Sequence, residues 1–366
     1  MACAGTERRA GRSASVKALT VEPGTANSIR LDDRPEPTPD PTRLLVRTLA
    51  LGICGTDREI VSGKYGWAPP DTPRLILGHE SLGRVLEAPK DGGFAVGDLV
   101  VGIVRHPDPV PCPACAVGEW AMCRNGQYTE HGIKSADGFG AERFTIDPGF
   151  AVKVTTQLDM LGVLLEPASI LAKAWDHIDR IGHRTRSWQP RTALITGAGP
   201  VGLLGALMAT QRGLDVHVLD LPETGTKPDI VKALGGTYHA RMIPDSLRAD
   251  VIIECTGAPQ LVLDVIGRMA GDGIVCLTGV SSGGRTLPFD SGAFNRGMVL
   301  QNDVVFGSVN ANRDHYEAGA KALAKADRAW LGRLVSRRVP LSRWREAFER
   351  RDDDIKVVLT FGDDTP

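Results

Sequence analysis

The feature that most restricts the fold is the loop Gly197-Ala198-Gly199-Pro200-Val201-Gly202, set between the short apolar run 193–196 and the apolar stretch 201–210. Small residues there allow a tight turn and let backbone N–H groups approach a pyrophosphate at a helix N-terminus. Such a loop is weak evidence alone, but here its context is right. Strand-like runs at 216–219, 251–253, 274–277 and 304–309 follow, with helical patterns such as 230–234 among them. Strands alternating with helices predict an α/β fold with a doubly wound parallel sheet. Asp220 ends the second run, eighteen residues after Gly202. A carboxylate there accepts from adenosine ribose hydroxyls and repels a 2′-phosphate, which favours NAD; Lys227 nearby leaves NADP open.

The chain has 366 residues, which suits about two domains. Upstream of the loop, 16–150 is rich in β-like runs broken by Gly and Pro, as at 43–48, 82–87 and 98–104. These predict a compact β-rich domain. The Pro- and Cys-rich stretch 107–118 reads as an excursion loop. Around 159–181 the pattern turns helical. Ile170, Leu171, Ala174, Trp175 and Ile178 share one face, and Pro167 suits an early helical position, so this helix bridges two domains. The tail carries an amphipathic helix over 344–350 and a strand over 356–360 that return to the first domain. The expected division is a disordered leader 1–15, a catalytic domain of 16–175 with 312–366, and a cofactor domain of 176–311. The leader lacks the apolar centre of a secretory signal.

A net charge of −1 gives no electrostatic case for nucleic acid or an anionic membrane. No apolar run approaches the roughly 20 residues that span a bilayer. The seven cysteines are odd in number and partly clustered, which argues for reduced thiols in a cytoplasmic enzyme rather than a disulfide framework. Cys255 and Cys276 read as small core residues.

Chemistry is concentrated at Cys54, His79, Glu80 and Glu166. Cys54 lies in Gly52-Ile53-Cys54-Gly55-Thr56-Asp57, His79 and Glu80 follow Gly78, and Glu166 lies in Leu165-Glu166-Pro167. A thiolate, an imidazole and carboxylates suit zinc, and three protein ligands with one exchangeable position make a catalytic site. Further on, Cys112, Cys115 and Cys123 form a C-x2-C-x7-C cluster.

In that order, Gly52 to Asp57, Gly78-His79-Glu80 and Gly197 to Gly202 resemble the zinc-dependent medium-chain dehydrogenases. The stretches Tyr128-Thr129-Glu130-His131-Gly132-Ile133-Lys134 and Phe306-Gly307-Ser308-Val309-Asn310-Ala311-Asn312 are similar to the glucose 1-dehydrogenase branch. The resemblance covers nearly the whole chain after residue 16. It implies a GroES-like β-rich catalytic domain joined to a Rossmann cofactor domain. It implies catalytic zinc on Cys54 and His79, with Glu80 and Glu166 alternating between metal and substrate. It implies a proton relay through Thr56, with Glu59 where some relatives carry a His, and sugar contacts from Glu130, Asn310 and Glu166. Asp57 would orient the loop or a ligand. Thr256, Gly257, Thr278, Gly279, Val280 and Ser308 would face ribose and nicotinamide from the carboxyl ends of the strands. The three cysteines resemble a structural-zinc lobe whose usual first ligand is here Pro109, with His106 or Asp108 the substitutes. A homodimer or homotetramer would form by pairing edge strands at 304–309.

The expected function is therefore zinc-assisted oxidation of an aldose at C1, giving the lactone, with hydride passed to NAD or NADP. A polyol, cyclitol or secondary alcohol is the alternative substrate. A non-catalytic dinucleotide-binding protein, or a metal-free quinone reductase on the same fold, would need no set such as Cys54, Thr56, His79, Glu80 and Glu166.

Overall fold

In the computed structural model, which describes residues 15–281, 283–284 and 286–362, the alternating second half of the chain forms a parallel sheet. Among the described residues its strand order is Thr237–Ala240, Asp215–Asp220, Thr192–Thr196, Ala249–Glu254, Met269–Leu277, Val304–Gly307. Order reverses on either side of Thr192–Thr196. In open α/β sheets the ligand crevice lies at that reversal, beyond the carboxyl ends of the strands. The two central strands, Thr192–Thr196 and Ala249–Glu254, are nearly wholly buried, as expected when helices cover both faces.

The first half is built from antiparallel sheets. The long strand Leu44–Ile53 pairs with Glu80–Glu87 on one side and with Lys356–Thr360 on the other. The C-terminal strand thus returns beside the first-half strands. A smaller sheet pairs Arg105–His106 with Thr129–His131. Cys3 and the expected leader fall outside the described residues, apart from Ser15, which opens the first strand.

The helical pattern around 159–181 divides in two. A 3-10 stretch, Thr156–Leu164, contains Asp159 at φ 47, a left-handed conformation that interrupts an α-helix. The α-helix proper is Leu165–Gly182, with Pro167 in the first turn, where a missing N–H costs nothing. Leu171, Ala174, Trp175 and Ile178 are fully or almost fully buried on it. They belong to one continuous core that includes Leu82 and Leu99 of the first half and Ala193 and Val216 of the parallel sheet. The expected helix over 344–350 is instead the 3-10 stretch Leu341–Phe348, kinked at Arg343. Its three-residue repeat places Trp344 and Ala347 in the core together. Helices Ser291–Gln301, Arg313–Lys325 and Arg328–Leu334 were not anticipated. Asn312 caps the second, accepting from the His315 N–H at 3.2 Å. No helix among the described residues is long and apolar enough to cross a membrane.

Trp175 is 1% exposed within the shared core. Trp175→Ala should cost roughly 3–5 kcal/mol, read as a lowered denaturation midpoint.

Candidate active site

Sheet register assembles the metal-type residues. Cys54 follows the long strand and precedes helix Gly55–Val61, while His79 precedes Glu80–Glu87. Gly52 stands opposite Glu80 in the pairing of these strands. Ligand atoms of Cys54, His79 and Glu80 therefore all lie within 4.8 Å of one another. Asp57, one turn into the helix, accepts from the Cys54 N–H at 2.8 Å. Its other oxygen is 3.3 Å from His79 Nδ1, close enough for charge attraction but off the line of a hydrogen bond. Burial pushes the His79 imidazolium pKa down, but Asp57 and then Cys54 outweigh it and raise the value well above the usual range.

Glu80 has a partner that sequence reading missed. Lys356 Nζ donates to both carboxylate oxygens, at 2.7 and 2.5 Å, and each residue is 2% exposed. Burial pushes the Lys356 pKa down, yet Glu80, then Cys54 and Glu166, raise it overall. Gly52 has no side chain because a Cβ there would overlap the Glu80 carboxylate. The signal was available: a lysine beginning the otherwise apolar strand Lys356–Thr360, which pairs with the strand leading to Cys54.

Glu166, from the first turn of the crossing helix, borders the same cavity of about 620 Å³. Burial pushes its carboxyl up to about 7, with Glu80 adding and His79 and Lys356 opposing. Thr56 and Glu59 line the cavity too. A wider hollow of about 810 Å³ around Lys153 and Arg313 lies apart from this chemistry; Arg313 is occupied there with the carbonyls of Pro148, Gly149 and Ala151.

On another wall of the cavity, Glu130 Oε1 accepts from Arg105 Nε and Nη2 at 3.0 and 2.9 Å and from Asn310 Nδ2 at 2.6 Å. Arg105 faces Glu130 across paired strands and is 6% exposed. It also lies 3.8 Å over the Tyr128 ring, a cation–π contact. One oxygen of Glu130 thus takes three hydrogen bonds. Asn310 holds a left-handed φ of 63 and its Oδ1 accepts from the Ala311 N–H. Sequence reading missed Arg105, whose strand it placed within a general β-like region.

The strand ends meet this wall. Gly197 is left-handed, and Gly199 caps the helix Pro200–Gln211. A Cβ on Gly202 would overlap the Gly197 carbonyl, so only glycine lets this turn close. Val201, Thr256, Thr278, Gly279, Val280 and Ser308 border the cavity. Ser308 is 8% exposed and its hydroxyl has no partner. The loops are tied together by Glu254, fully buried and also unanticipated. Its carboxylate accepts from the Thr196 and Thr256 hydroxyls and from the N–H groups of Thr256 and Gly257. At the far end of the crevice, Asp220 accepts from the Ala198 and Leu221 N–H groups and from Lys227.

Comparison with known proteins is decisive. The family model described as "Glucose dehydrogenase C-terminus" matches residues 159–361, and that of the "Alcohol dehydrogenase GroES-like domain" matches 40–156. Glucose 1-dehydrogenase of Methanocella arvoryzae is 39% identical over 95% of this chain and 100% of its own length. The Thermoproteus tenax enzyme of that name is 38% identical over 94% and 99%. A crystal structure of Haloferax mediterranei glucose dehydrogenase, in complex with NADP, Zn and gluconolactone, superposes with a TM-score of 0.87. That match is 33% identical and covers 94% of this chain and 99% of the other. The chain belongs to the glucose dehydrogenase branch of the zinc-dependent medium-chain dehydrogenases.

This dehydrogenase also gathers Cys112, Cys115 and Cys123, with sulfurs within 4.8 Å of one another. Burial raises the Cys115 thiol, against the Asp108 N–H directed at it, whereas the Arg124 N–H lowers Cys112. Asp108 is 4% exposed, with Oδ2 unpartnered. His106 stacks instead on Phe150, with ring centroids 3.8 Å apart.

Lys356→Met removes the ammonium paired with Glu80 and should cost roughly 3–5 kcal/mol in chemical denaturation. Adding Glu80→Gln should return part of that loss, because the uncompensated buried charge goes with it.

Proposed function

We propose that this chain oxidises C1 of a glucose-like aldose to the aldonolactone, with hydride passed to NAD or NADP and zinc as the metal. One observation carries the reading. A single cavity holds the Cys54–His79–Glu80 cluster, the Glu130–Asn310 pair and the carboxyl ends of the parallel strands.

The donor set fits a divalent cation. Ligand atoms of Cys54, His79 and Glu80 lie within 4.8 Å of one another, with the Asp57 and Glu166 carboxylates buried beside them, so one ion could meet a thiolate, an imidazole and a carboxylate at once. Thiolate with imidazole selects zinc among such ions. Cys54 and His79 would hold it, with Glu166 or Glu80 as the exchanging carboxylate. When bound, zinc supplies a Lewis acid at the sugar hydroxyl, and the nicotinamide supplies the hydride acceptor. Thr56 Oγ1 and the Glu59 carboxylate, both lining the cavity, would carry the hydroxyl proton outward. Glu130, Asn310 and Glu166 hold sugar hydroxyls, and Arg105 fixes the Glu130 carboxylate so that little order is lost on binding. Gly197, Gly199, Pro200, Val201 and Gly202 seat the pyrophosphate, and Asp220 takes the adenosine ribose. Thr256, Gly257, Thr278, Gly279, Val280 and Ser308 surround the nicotinamide side.

The same reading assigns a second, structural zinc to Cys112, Cys115 and Cys123, with Asp108 favoured over His106 as the fourth ligand. It divides the chain into a catalytic domain of 16–175 with 312–366 and a cofactor domain of 176–311. A homodimer or homotetramer would use the edge strand Val304–Gly307, beside which Val299 and Leu300 are exposed. A cytoplasmic setting agrees with six free cysteines among the described residues.

Purified protein should form reduced nicotinamide on glucose or galactose faster than on sorbitol or a simple alcohol. Faster turnover of sorbitol or a secondary alcohol would move the substrate to the polyol or alcohol class. Chelation should abolish the activity and zinc should restore it; equal rates before and after metal removal would rule out the metal role. Metal analysis should find about two zinc ions per chain, or about one if the cysteine lobe is empty. Asn310→Ala should lower kcat/KM for the sugar about 10- to 100-fold, the factor for losing one hydrogen bond to a charged or fixed group.

A further inference from the structure

The adenosine end of the crevice differs from a plain NAD site. An acidic residue at the end of the second parallel strand, standing alone, takes the ribose hydroxyls and repels a 2′-phosphate. Asp220 does not stand alone. Its Oδ1 accepts from the Leu221 N–H at 2.7 Å. Its Oδ2 accepts from the Ala198 N–H at 3.0 Å and from Lys227 Nζ at 2.9 Å. The side chains are only 14% and 20% exposed, so the pair is better shielded from solvent than a surface ion pair. Its net charge is zero, and the repulsion that normally excludes a 2′-phosphate is cancelled.

Lys227 is also well placed to move. It is the second residue of the helix Thr226–Ala233, whose cap Gly225 has a left-handed φ of 104. The Lys227 side chain is 20% exposed and its neighbours Thr224, Gly225 and Thr226 are exposed, so the stem has room to turn. The other basic group near this loop, Arg241, pairs with the exposed Glu223 at 3.3 Å and donates its backbone N–H to the Asp220 carbonyl. Lys227 is therefore the cation in direct contact with the carboxylate that meets the ribose. An ammonium on a flexible stem carries three donors, enough to keep one on Asp220 and give another to a phosphate oxygen.

We propose that Lys227 sets the cofactor choice of this dehydrogenase: it rests on Asp220 when NAD is bound and bridges Asp220 to the 2′-phosphate when NADP is bound, so that the chain uses both. This rests on the dehydrogenase reading above and deepens it. Ala198 ties the same carboxylate to the glycine-rich loop, so Asp220 stays in place for the ribose whichever way the lysine reaches.

The test is direct binding of NAD and NADP to the full-length protein, followed by fluorescence or calorimetry, for wild type, Lys227→Met and Lys227→Arg. Wild type should bind both. Lys227→Met should weaken NADP at least 10-fold while changing NAD less than about 3-fold, and Lys227→Arg should keep most of the NADP affinity. NADP binding to wild type should also fall more steeply with added salt than NAD binding, and that difference should vanish in Lys227→Met. An NADP-to-NAD affinity ratio unchanged in Lys227→Met would overturn the inference and leave the dehydrogenase reading standing, since NAD binding to the same variant reports that reading separately. A wild-type protein that binds neither dinucleotide would overturn both.

Discussion

The helix Leu165–Gly182 is the constraint on which the rest of the molecule depends. Its buried face lies in one core shared by the antiparallel first half and the parallel sheet. Its first turn carries Glu166 to the edge of the Cys54–His79–Glu80 cluster. A protein interior packs as densely as an organic crystal, so a shared core transmits position rather than absorbing it. The spacing between metal-type ligands and the nucleotide crevice is therefore set by aliphatic and aromatic packing around Trp175.

Around that scaffold, charge is managed by pairing. Glu80 lies against Lys356, Glu130 against Arg105, and Asp220 against Lys227. In each case the carboxylate was legible as a functional group; Lys227 was legible too, whereas Lys356 and Arg105 were not. The reason is physical. Glu80 and Glu130 sit in short motifs with a glycine nearby, and Asp220 ends a strand, and each of these leaves a local sequence trace. Lys356 and Arg105 come from strands that meet their carboxylates only through strand pairing, whereas Lys227 lies seven residues after Asp220. Lys356 lies 276 residues after Glu80 and is joined to it by the register of two neighbouring strands on Leu44–Ile53.

The same distinction explains what was readable in the fold. The parallel sheet and its glycine loop were visible because period and turn chemistry are local properties. The helix Arg313–Lys325 was missed although Asn312 caps it and Tyr316, Gly319 and Leu323 mark its buried face. The 3-10 character of Leu341–Phe348 was not visible either, because spacings of three suit both helix types over so short a segment. Glu254 was hidden by its position at the end of an apolar strand, where a carboxylate gains its role only from the N–H groups of loops folded around it.

The hydrogen bond from Asn310 to Glu130 joins the segment after the last parallel strand to the small sheet of the first half. It is both a wall of the cavity and a stitch across the seam of the molecule. On the reading proposed above, in which Glu130 and Asn310 meet the substrate, a replacement that breaks this bond to admit a different ligand also removes a tie between the two halves. Ligand preference and the stiffness of the crevice would then be one heritable trait: a lineage drifting toward a new substrate would have to re-knit the two halves at the same residues.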